Sequence, residues 1–245
     1  MRLWRTCAKP PGAYQLTYLG PPNHPRAVDN SSATLLAEGL ERLGLPLPPG
    51  AQSALLAWAD ELLKWNAKVS LTAITRPAEV VDKHLLDSLA VIPEVAGSAH
   101  VLDLGAGAGL PGIPLAVALP DLRVTLVDAV SKKVAFIKSA AVKAQVAPRV
   151  KALHARAEGQ PATEGIPTAD CLISRAFMDV GPFLQLARHY LADTEGARVV
   201  TMMGQTPSEE VLRQLATDAG LQLKSRRTFT LPVSGDPRGV AVFTR

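Results

Sequence analysis

The 245-residue sequence has few cysteines, few aromatic residues and no long hydrophobic run. Its two cysteines, Cys7 and Cys171, do not make a disulfide framework and show no metal-ligand spacing. No stretch approaches the ~20 consecutive apolar residues that span a bilayer, and the first residues lack the apolar core of a signal peptide. Aromatic residues make up 4% of the chain, so a stacking surface for single-stranded nucleic acid is not expected. These absences predict a protein of the reducing cytoplasm, with no membrane partner.

The charge balance is mildly basic. Lys and Arg number 26 against 22 Asp and Glu, and the formal net charge is +4. This balance is compatible with an anionic partner such as RNA but does not require one. Basic residues cluster in segments 131–156 and 223–229, where they either meet phosphates or form solvated helix faces.

The pattern of apolar and helix-breaking residues divides the chain into three parts. Residues 1–30 are proline-rich without an apolar period, which predicts a flexible leader. Residues 31–97 carry three amphipathic patterns, the first capped by Ser32 and the third from about Pro77 to Ile92, which predict a helical N-terminal subdomain. Residues 98–245 alternate short apolar runs with helical patterns and form the third part.

This alternation predicts an α/β fold with a seven-stranded, mostly parallel sheet. Strands are expected at residues 100–105, 123–128, 149–154, 170–174, 197–203, 223–231 and 239–245. Helices are expected to start near Leu110, Ser131, Gly181 and Pro207. No helical pattern separates the last two strands, so the final strand is expected to run antiparallel. The pattern is that of a Rossmann-like class I methyltransferase with an N-terminal helical cap, since a plain dinucleotide fold more often ends in six parallel strands.

The segment VLDLGAGAGLPGIP, residues 101–114, is the first candidate binding site. It places Gly105, Gly107 and Gly109 in the first strand-to-helix turn, where open parallel sheets bind ligands. Glycine lets the backbone adopt positive φ and approach a ligand closely, and the following helix offers free N–H groups. A tight turn without a ligand would also use glycines, but it would leave the flanking acidic residues without a role.

Two of these acidic residues bear on which cofactor the loop binds. Asp128 ends the second strand, where a carboxylate can accept both hydroxyls of a ribose. With Asp128 about 20 residues on, the loop also fits the G-x-G-x-x-G pattern of a nicotinamide cofactor. Asp103 before the glycines suits a ligand with an ammonium group and would repel a pyrophosphate. The chain also lacks a Y-x-x-x-K motif, because Thr194 lies four residues after Tyr190. S-adenosyl-L-methionine is therefore favoured, and an NAD-dependent oxidoreductase is the alternative.

The end of the fourth strand carries SRAF, residues 174–177, on the expected acceptor side. It is not the Asn/Asp-Pro-Pro-aromatic motif of enzymes that methylate exocyclic amines. Cys171 lies within an apolar run, which indicates an inert thiol and not the nucleophile that pyrimidine-carbon methylation needs. Guanine N7 has a free lone pair, so its methylation needs neither that motif nor a cysteine nucleophile. A small-molecule acceptor is equally allowed.

His84 and Asp87 lie three residues apart and therefore share one helix face. This spacing is typical of a polar contact between helices. No further ligand cluster accompanies them, so a metal site is not expected.

Several stretches are distinctive when they are taken together: LLKWNAKVSLTAIT, VDKHLLDSLAVIP, VLDLGAGAGLPGIP, HARAE and SRAF. From about Ser31 to Arg245 the chain resembles the ribosomal small-subunit methyltransferase G family, also called glucose-inhibited division protein B. The resemblance implies methyl transfer from S-adenosyl-L-methionine to N7 of one guanine in the 530 loop of 16S rRNA. The substrate would be the small ribosomal subunit or its RNA, and the enzyme a monomer without a metal ion.

The loop and the resemblance together give a set of candidate cofactor-binding residues. They are Asp103, Gly105, Gly107, Gly109, Leu110, Asp128, Ala129, Val130, Ala157, Glu158 and Arg175. The resemblance implies that Asp128 holds the ribose, with Ala129 and Val130 beside the adenine. Arg175 would hold the methionine carboxylate or reach a phosphate or guanine O6 on the acceptor side. No residue is assigned as a general base, and the pair His84 and Asp87 would border the cofactor cleft.

One departure from the family lies at the end of the fifth strand. The sequence TMMGQ has Met203 where the family usually has a lysine. This departure keeps a further alternative open, a non-catalytic rRNA-binding assembly factor that retains the cofactor fold. Residues 1–30 lie outside the resemblance.

Overall fold

One sheet of seven strands organises the computed structural model, which describes residues 29–245. In chain order, the strands are β1 (His100–Leu104), β2 (Arg123–Asp128), β3 (Val150–His154), β4 (Cys171–Arg175), β5 (Arg198–Met203), β6 (Gln222–Thr230) and β7 (Pro237–Thr244). Their order across the sheet is β3-β2-β1-β4-β5-β7-β6. Neighbours from β3 to β5 are parallel, whereas β7 runs antiparallel to both β5 and β6. The predicted mostly parallel sheet with an antiparallel last strand is confirmed.

The helices within residues 29–245 cover both faces of this sheet. They are α1 (Asn30–Leu43), α2 (Ala51–Asn66), α3 (Pro77–Val80), α4 (Asp87–Leu89), α5 (Ile92–Val95), α6 (Gly112–Ala118), α7 (Ser131–Lys143), α8 (Pro161–Glu164), α9 (Val180–Ala187) and α10 (Glu209–Asp218). A π-helical segment, Val81–Leu86, joins α3 to α4. None of these helices is long and apolar enough to cross a bilayer. Residues 1–28, which hold nearly all of the predicted leader, lie outside the described residues.

The helix boundaries differ from the sequence prediction at two places. The first helix is capped by Asp29, whose Oδ1 accepts the Ser32 N–H at 3.1 Å, so Ser32 lies inside the first turn and its predicted capping role is wrong. The single helix predicted from Pro77 to Ile92 is divided by the π-helical segment, and α5 begins only at Ile92. A π-helical turn contains about one residue more than an α-helical turn. The periodicity of the apolar residues does not reveal this insertion, because nearly the same residues still face the core.

The N-terminal helices pack on one face of the sheet and share its core. Helix α2 lies against α6 and α7, and Trp58 of α2 is completely buried there. The buried Glu61 accepts hydrogen bonds from Trp65 Nε1 at 2.8 Å and from Ser139 Oγ of α7 at 2.6 Å. Helices α9 and α10 cover the opposite face. The sheet is thus held between two layers of helices. The subdomain boundary at residues 97–98 stays a prediction.

The π-helical segment also holds the loop between β6 and β7. The two carboxylate oxygens of the buried Asp82 accept the backbone N–H groups of Val233 and Ser234, at 3.2 and 3.0 Å. A carboxylate that accepts hydrogen bonds from two backbone N–H groups fixes the loop more firmly than an uncharged acceptor would. The loop therefore lies against the helical segment at the carboxyl edge of the sheet.

Gly112, at the start of α6, sets how closely that helix approaches β2. A Cβ atom built on Gly112 would lie 2.5 Å from Leu126 Cδ2 and 3.0 Å from Val124 Cγ1. Its φ is not positive, so the requirement for glycine here is one of space. This third glycine of the G-x-G-x-x-G match therefore serves helix–sheet packing.

Gly112→Ala is expected to lower the free energy of unfolding by about 1–3 kcal/mol, because the added methyl group overpacks the interface between α6 and β2. Chemical denaturation measures this change. The matched control is Gly204→Ala, since a Cβ atom there would have no neighbour within 4 Å. Equal unfolding free energies for the two variants would contradict this packing role.

Candidate active site

The strand order reverses between β1 and β4, and the carboxyl ends of these strands border a crevice. A cavity of about 530 Å³ opens at this edge, beside the ends of β1, β2 and β3, and is called the β2–β3 cavity here. It is lined by Gly105, Val127, Asp128, Ala129, Val130, Lys133, Ala155, Arg156, Ala157, Glu158, Ala176, Phe177 and Met178. Six of the predicted cofactor-binding residues are among them: Gly105, Asp128, Ala129, Val130, Ala157 and Glu158.

The glycine loop lies between β1 and α6, and its glycines differ in function. Gly105, Gly107 and Gly109 have φ values of 73°, 57° and 74°, which side chains other than glycine rarely adopt. In front of Gly107 the space is open, since the nearest atom to a built Cβ would be the Gly105 carbonyl oxygen at 3.9 Å. A Cβ atom on Gly109 would instead lie 2.6 Å from Ile113 Cδ1, and the Leu110 side chain is buried in the core. The loop therefore offers its bare backbone at Gly107 and uses Gly109 and Leu110 for packing.

Asp128 connects the glycine loop to the end of β2. Its Oδ2 accepts the Gly107 N–H at 2.9 Å, and its Oδ1 accepts the Val130 N–H at 2.9 Å. Lys133 Nζ lies 3.9 Å from Oδ2. Each carboxylate oxygen has lone pairs for more than one hydrogen bond, so the group can still accept the hydroxyls of a ribose. The loop holds the carboxylate in place before any ligand arrives.

Asp103 is a completely buried carboxyl group beneath the loop. Its Oδ2 accepts the Gly112 N–H at 3.0 Å, whereas its Oδ1 has no hydrogen-bond partner within residues 29–245. Burial raises the pKa of Asp103 to about 8, against the opposing effects of the Gly112 hydrogen bond and the Arg175 charge. An unpaired buried carboxyl oxygen fits a ligand that brings positive charge to the loop, as the ammonium group of S-adenosyl-L-methionine would.

Arg175 does not line the β2–β3 cavity. It lies in a separate cavity of about 360 Å³, the Arg175 cavity, which Lys83 and Arg238 also line. Arg175 Nη1 donates to Asp87 Oδ2 at 3.1 Å, and Arg238 Nε donates to Asp87 Oδ1 at 3.2 Å. The buried Asp87 carboxylate thus joins β4 and β7 to the N-terminal helices.

The predicted pair His84 and Asp87 does share one face, and both residues contact Arg175. His84 Nδ1 lies 3.2 Å from Arg175 Nη2, which donates, and 3.1 Å from the Lys83 carbonyl oxygen, which accepts, so its hydrogen-bond partner depends on the tautomer of the ring. His84 Nε2 lies 3.0 Å from Thr72 Oγ1, which can donate or accept. Burial, helped by the Arg175 charge, lowers the pKa of His84 to about 3, so the ring is neutral at physiological pH. Burial also raises the pKa of Asp87, and the two guanidinium groups oppose this rise.

The turn Ala176–Met178 after β4 separates the cavities, and its first two residues belong to the SRAF motif that was expected on the acceptor side. Ala176 has a φ of 51°, which is strained for a residue other than glycine. The Phe177 ring lies against Gly105, where it would overlap any Cβ atom, and Phe177 and Met178 are 39% and 40% exposed. The SRAF motif marked this segment, but its contact with the glycine loop depends on how β4 and β1 pair.

Met203 lies at the carboxyl end of β5, opposite Gly239 of β7. It lines the Arg175 cavity together with Arg238. The position at which the family usually has a lysine is therefore at the site, and a neighbouring arginine supplies positive charge there.

Comparisons with known proteins agree with this geometry. A model of the family described as rRNA small subunit methyltransferase G matches residues 51–234. The relative named ribosomal RNA small subunit methyltransferase G from Myxococcus xanthus (strain DK1622) is 54% identical over 210 residues, which cover 86% of this chain and 95% of the relative. A relative of the same name from Anaeromyxobacter dehalogenans (strain 2CP-C) is 47% identical, with coverage of 86% and 96%.

Solved structures show the same fold at low sequence identity. A putative O-methyltransferase from Nostoc punctiforme PCC 73102 superposes with a TM-score of 0.53 and 16% identity, covering 86% of this chain and 69% of that one. A ribosomal protein L11 methylase from Lactobacillus delbrueckii subsp. bulgaricus gives a TM-score of 0.51 and 11% identity, with coverage of 66% and 79%. At such identities these neighbours support the fold class alone.

Asp103→Asn is expected to change how stability depends on pH. The folded-state pKa of Asp103, about 8, lies above its ordinary value of 3.8, so the folded protein binds the extra proton between these two pH values. The stabilisation from Asp103 is therefore complete below about pH 4 and is lost as the pH rises towards 8. Asparagine cannot titrate, so the unfolding free energy of the wild type should fall relative to the variant over this window, on the order of a few kcal/mol in total.

Urea denaturation of both proteins at several pH values from 4 to 8 measures this difference. His84 titrates in both proteins, and its contribution cancels in the comparison. A difference that stays constant over the window would contradict a raised pKa at Asp103.

Proposed function

Because the chain belongs to the rRNA small subunit methyltransferase G family, we propose that it transfers a methyl group from S-adenosyl-L-methionine to 16S rRNA. The acceptor would be N7 of one guanine in the 530 loop, as the resemblance implies. The convergence of six candidate cofactor-binding residues on the β2–β3 cavity is the observation that supports this most directly. The protein would act in the cytoplasm as a monomer, on the small ribosomal subunit or its RNA.

The β2–β3 cavity would hold the adenosine part of the cofactor. Asp128 is preset by two backbone N–H groups and would accept the ribose hydroxyls. Ala129 and Val130 lie directly beyond it, and Val130 is 46% exposed, so it offers apolar surface to an adenine ring. Ala157 and Glu158 line the same cavity after β3 and would meet the adenine from that side.

The glycine loop would hold the methionine part. Gly107 presents bare backbone at the crevice and Gly105 lies against the Phe177 ring, while Gly109 and Leu110 keep the loop against the core. Asp103 beneath the loop would accept a hydrogen bond from the ammonium group at its unpaired Oδ1, and the positive charge of the ligand would favour ionisation of this carboxyl group. The bound cofactor supplies a methyl group on a positively charged sulfur, which is the electrophile of the reaction.

Methyl transfer to guanine N7 depends on alignment of N7 with the methyl group and on exclusion of water more than on acid–base catalysis. The N7 lone pair forms the new N–C bond while the C–S bond breaks and its electron pair stays on sulfur. No proton is removed, which agrees with the absence of an assigned general base. Cys171 is unsuited to nucleophilic catalysis, because it is completely buried and burial raises the pKa of its thiol to about 12.

Arg175 would act on the acceptor side of the cofactor. Its guanidinium is fixed by Asp87 and lines a cavity with Lys83 and Arg238. Lys83 pairs with Asp236 at 3.1 Å, so these three cationic side chains face two carboxylates, Asp87 and Asp236, and one positive charge is in excess. That charge favours an RNA phosphate or a base oxygen at this position.

The deciding experiment incubates the protein with radiolabelled S-adenosyl-L-methionine and small subunits that lack the modification. Chemical strand cleavage at N7-methylguanine then maps the label, which is expected at one guanine of the 530 loop. Bound cofactor without label in RNA would contradict the activity and support a non-catalytic rRNA-binding factor, the alternative that Met203 keeps open. Binding of NAD in place of S-adenosyl-L-methionine would support the oxidoreductase alternative.

Gly107→Val is expected to abolish binding of S-adenosyl-L-methionine in isothermal titration calorimetry. A β-branched side chain would fill the open space in front of the loop and is strained at a φ of 57°. The matched control is Gly44→Val at the end of α1, where φ is 65° and a Cβ atom is also free of neighbours. The control carries similar backbone strain far from the crevice, so unchanged affinity in both variants would contradict this placement of the loop.

A further inference from the structure

A third cavity lies on the other side of the turn Ala176–Met178 from the proposed adenosine site. It has a volume of about 440 Å³ and opens between the carboxyl ends of β4 and β5 and the start of α9. Ala176 and Met178 line both this β4–β5 cavity and the β2–β3 cavity. A ligand in the β4–β5 cavity would therefore lie next to a ligand that crosses the crevice from the adenosine site.

Thr201 lies within this cavity and has a buried hydroxyl without a partner. Its residue is 4% exposed, and Oγ1 makes no hydrogen bond with any other described residue. Ser174, its register neighbour on β4, lines the same cavity. A buried hydroxyl without a hydrogen bond destabilises a protein, and such a group at a cavity indicates a ligand that pairs with it.

Asp179 stands at the mouth of the same cavity with an uncommitted carboxylate. It occupies the N-cap position of α9, yet its side chain makes no capping hydrogen bond. Aspartate at this position normally accepts a backbone N–H of the first helical turn. Here the carboxylate is exposed and available to a ligand.

We propose that the β4–β5 cavity binds the acceptor guanine, turned out of its RNA stack, through its Watson–Crick edge. This inference rests on the proposed function and names the residues that select the base. Asp179 accepts from guanine N1–H and N2–H, and the hydroxyls of Thr201 and Ser174 meet the remaining polar atoms. Met178, which is 40% exposed, offers apolar surface to a ring face.

Base selection follows from this pairing. Adenine has a lone pair at N1, where guanine has a donor, and that lone pair would face the Asp179 carboxylate. Guanine N7 lies on the Hoogsteen edge, which adjoins the Watson–Crick edge, and stays unpaired, with its lone pair free for the methyl group. The same carboxylate also faces the positive charge that methylation leaves on the base.

The test uses small subunits reconstituted with rRNA that carries inosine in place of the target guanosine. Inosine lacks only the N2 amino group and keeps N1–H and N7. For the wild type, kcat/KM for methyl transfer is expected to fall about tenfold to a hundredfold on inosine. Asp179→Asn should lower kcat/KM on guanosine by about the same factor and remove most of the preference for guanosine over inosine.

The charge-matched control is Asp121→Asn, which removes an exposed carboxylate before β2, at the opposite edge of the sheet. It should retain wild-type kcat/KM on both substrates. All variants should bind S-adenosyl-L-methionine with wild-type affinity in calorimetry, because Asp179 and Thr201 lie outside the adenosine site.

Thr201→Val separates a ligand role from a structural one. Removal of an unpaired buried hydroxyl should leave Tm equal to or above that of the wild type, whereas kcat/KM should fall. Thr201→Ser keeps the hydroxyl and should retain most of the activity.

Equal kcat/KM on guanosine and inosine, together with wild-type activity of Asp179→Asn and Thr201→Val, would overturn the proposed binding of guanine in the β4–β5 cavity. The proposed methyl transfer would not be affected by that result. Absence of transfer to RNA by wild-type protein that binds the cofactor would overturn the proposed function and this inference with it.

Discussion

The reversal of strand order between β1 and β4 is the constraint on which the site depends. Parallel strands on either side send their connecting helices to opposite faces, which leaves a crevice at the carboxyl ends of these two strands. The glycine loop follows β1, and the turn Ala176–Met178 follows β4, so both border this crevice. The three cavities at this edge share that turn or its neighbours, and their positions follow from the topology of the sheet.

Buried ionisable groups are concentrated at the same edge. Asp103 lies under the glycine loop with one oxygen unpaired, while Asp87 binds the guanidinium groups of Arg175 and Arg238. The second group connects the N-terminal helices to β4 and β7, so these helices form part of the site. A neutral His84 lies against this group, with its Nδ1 3.2 Å from Arg175 Nη2.

Local patterns predicted the fold well, and contacts between distant segments were harder to foresee. Apolar runs, turn residues and the glycine loop are short-range signals, so the seven strands and the position of Asp128 beside the glycine loop follow from the sequence. Arg175 was expected with the cofactor-binding residues, yet Asp87, 88 residues away in sequence, holds it in a separate cavity. The free carboxylate of Asp179 and the unpaired hydroxyl of Thr201 were not predicted either, since a side chain without a partner leaves no pattern in the sequence.

A crystal structure with S-adenosylhomocysteine, the demethylated cofactor, tests the central claim most directly. The account predicts the adenosine in the β2–β3 cavity, with the ribose hydroxyls on Asp128 and the amino acid end at the glycine loop above Asp103. Density for the adenosine in another cavity, or a ribose that does not contact Asp128, would contradict the account.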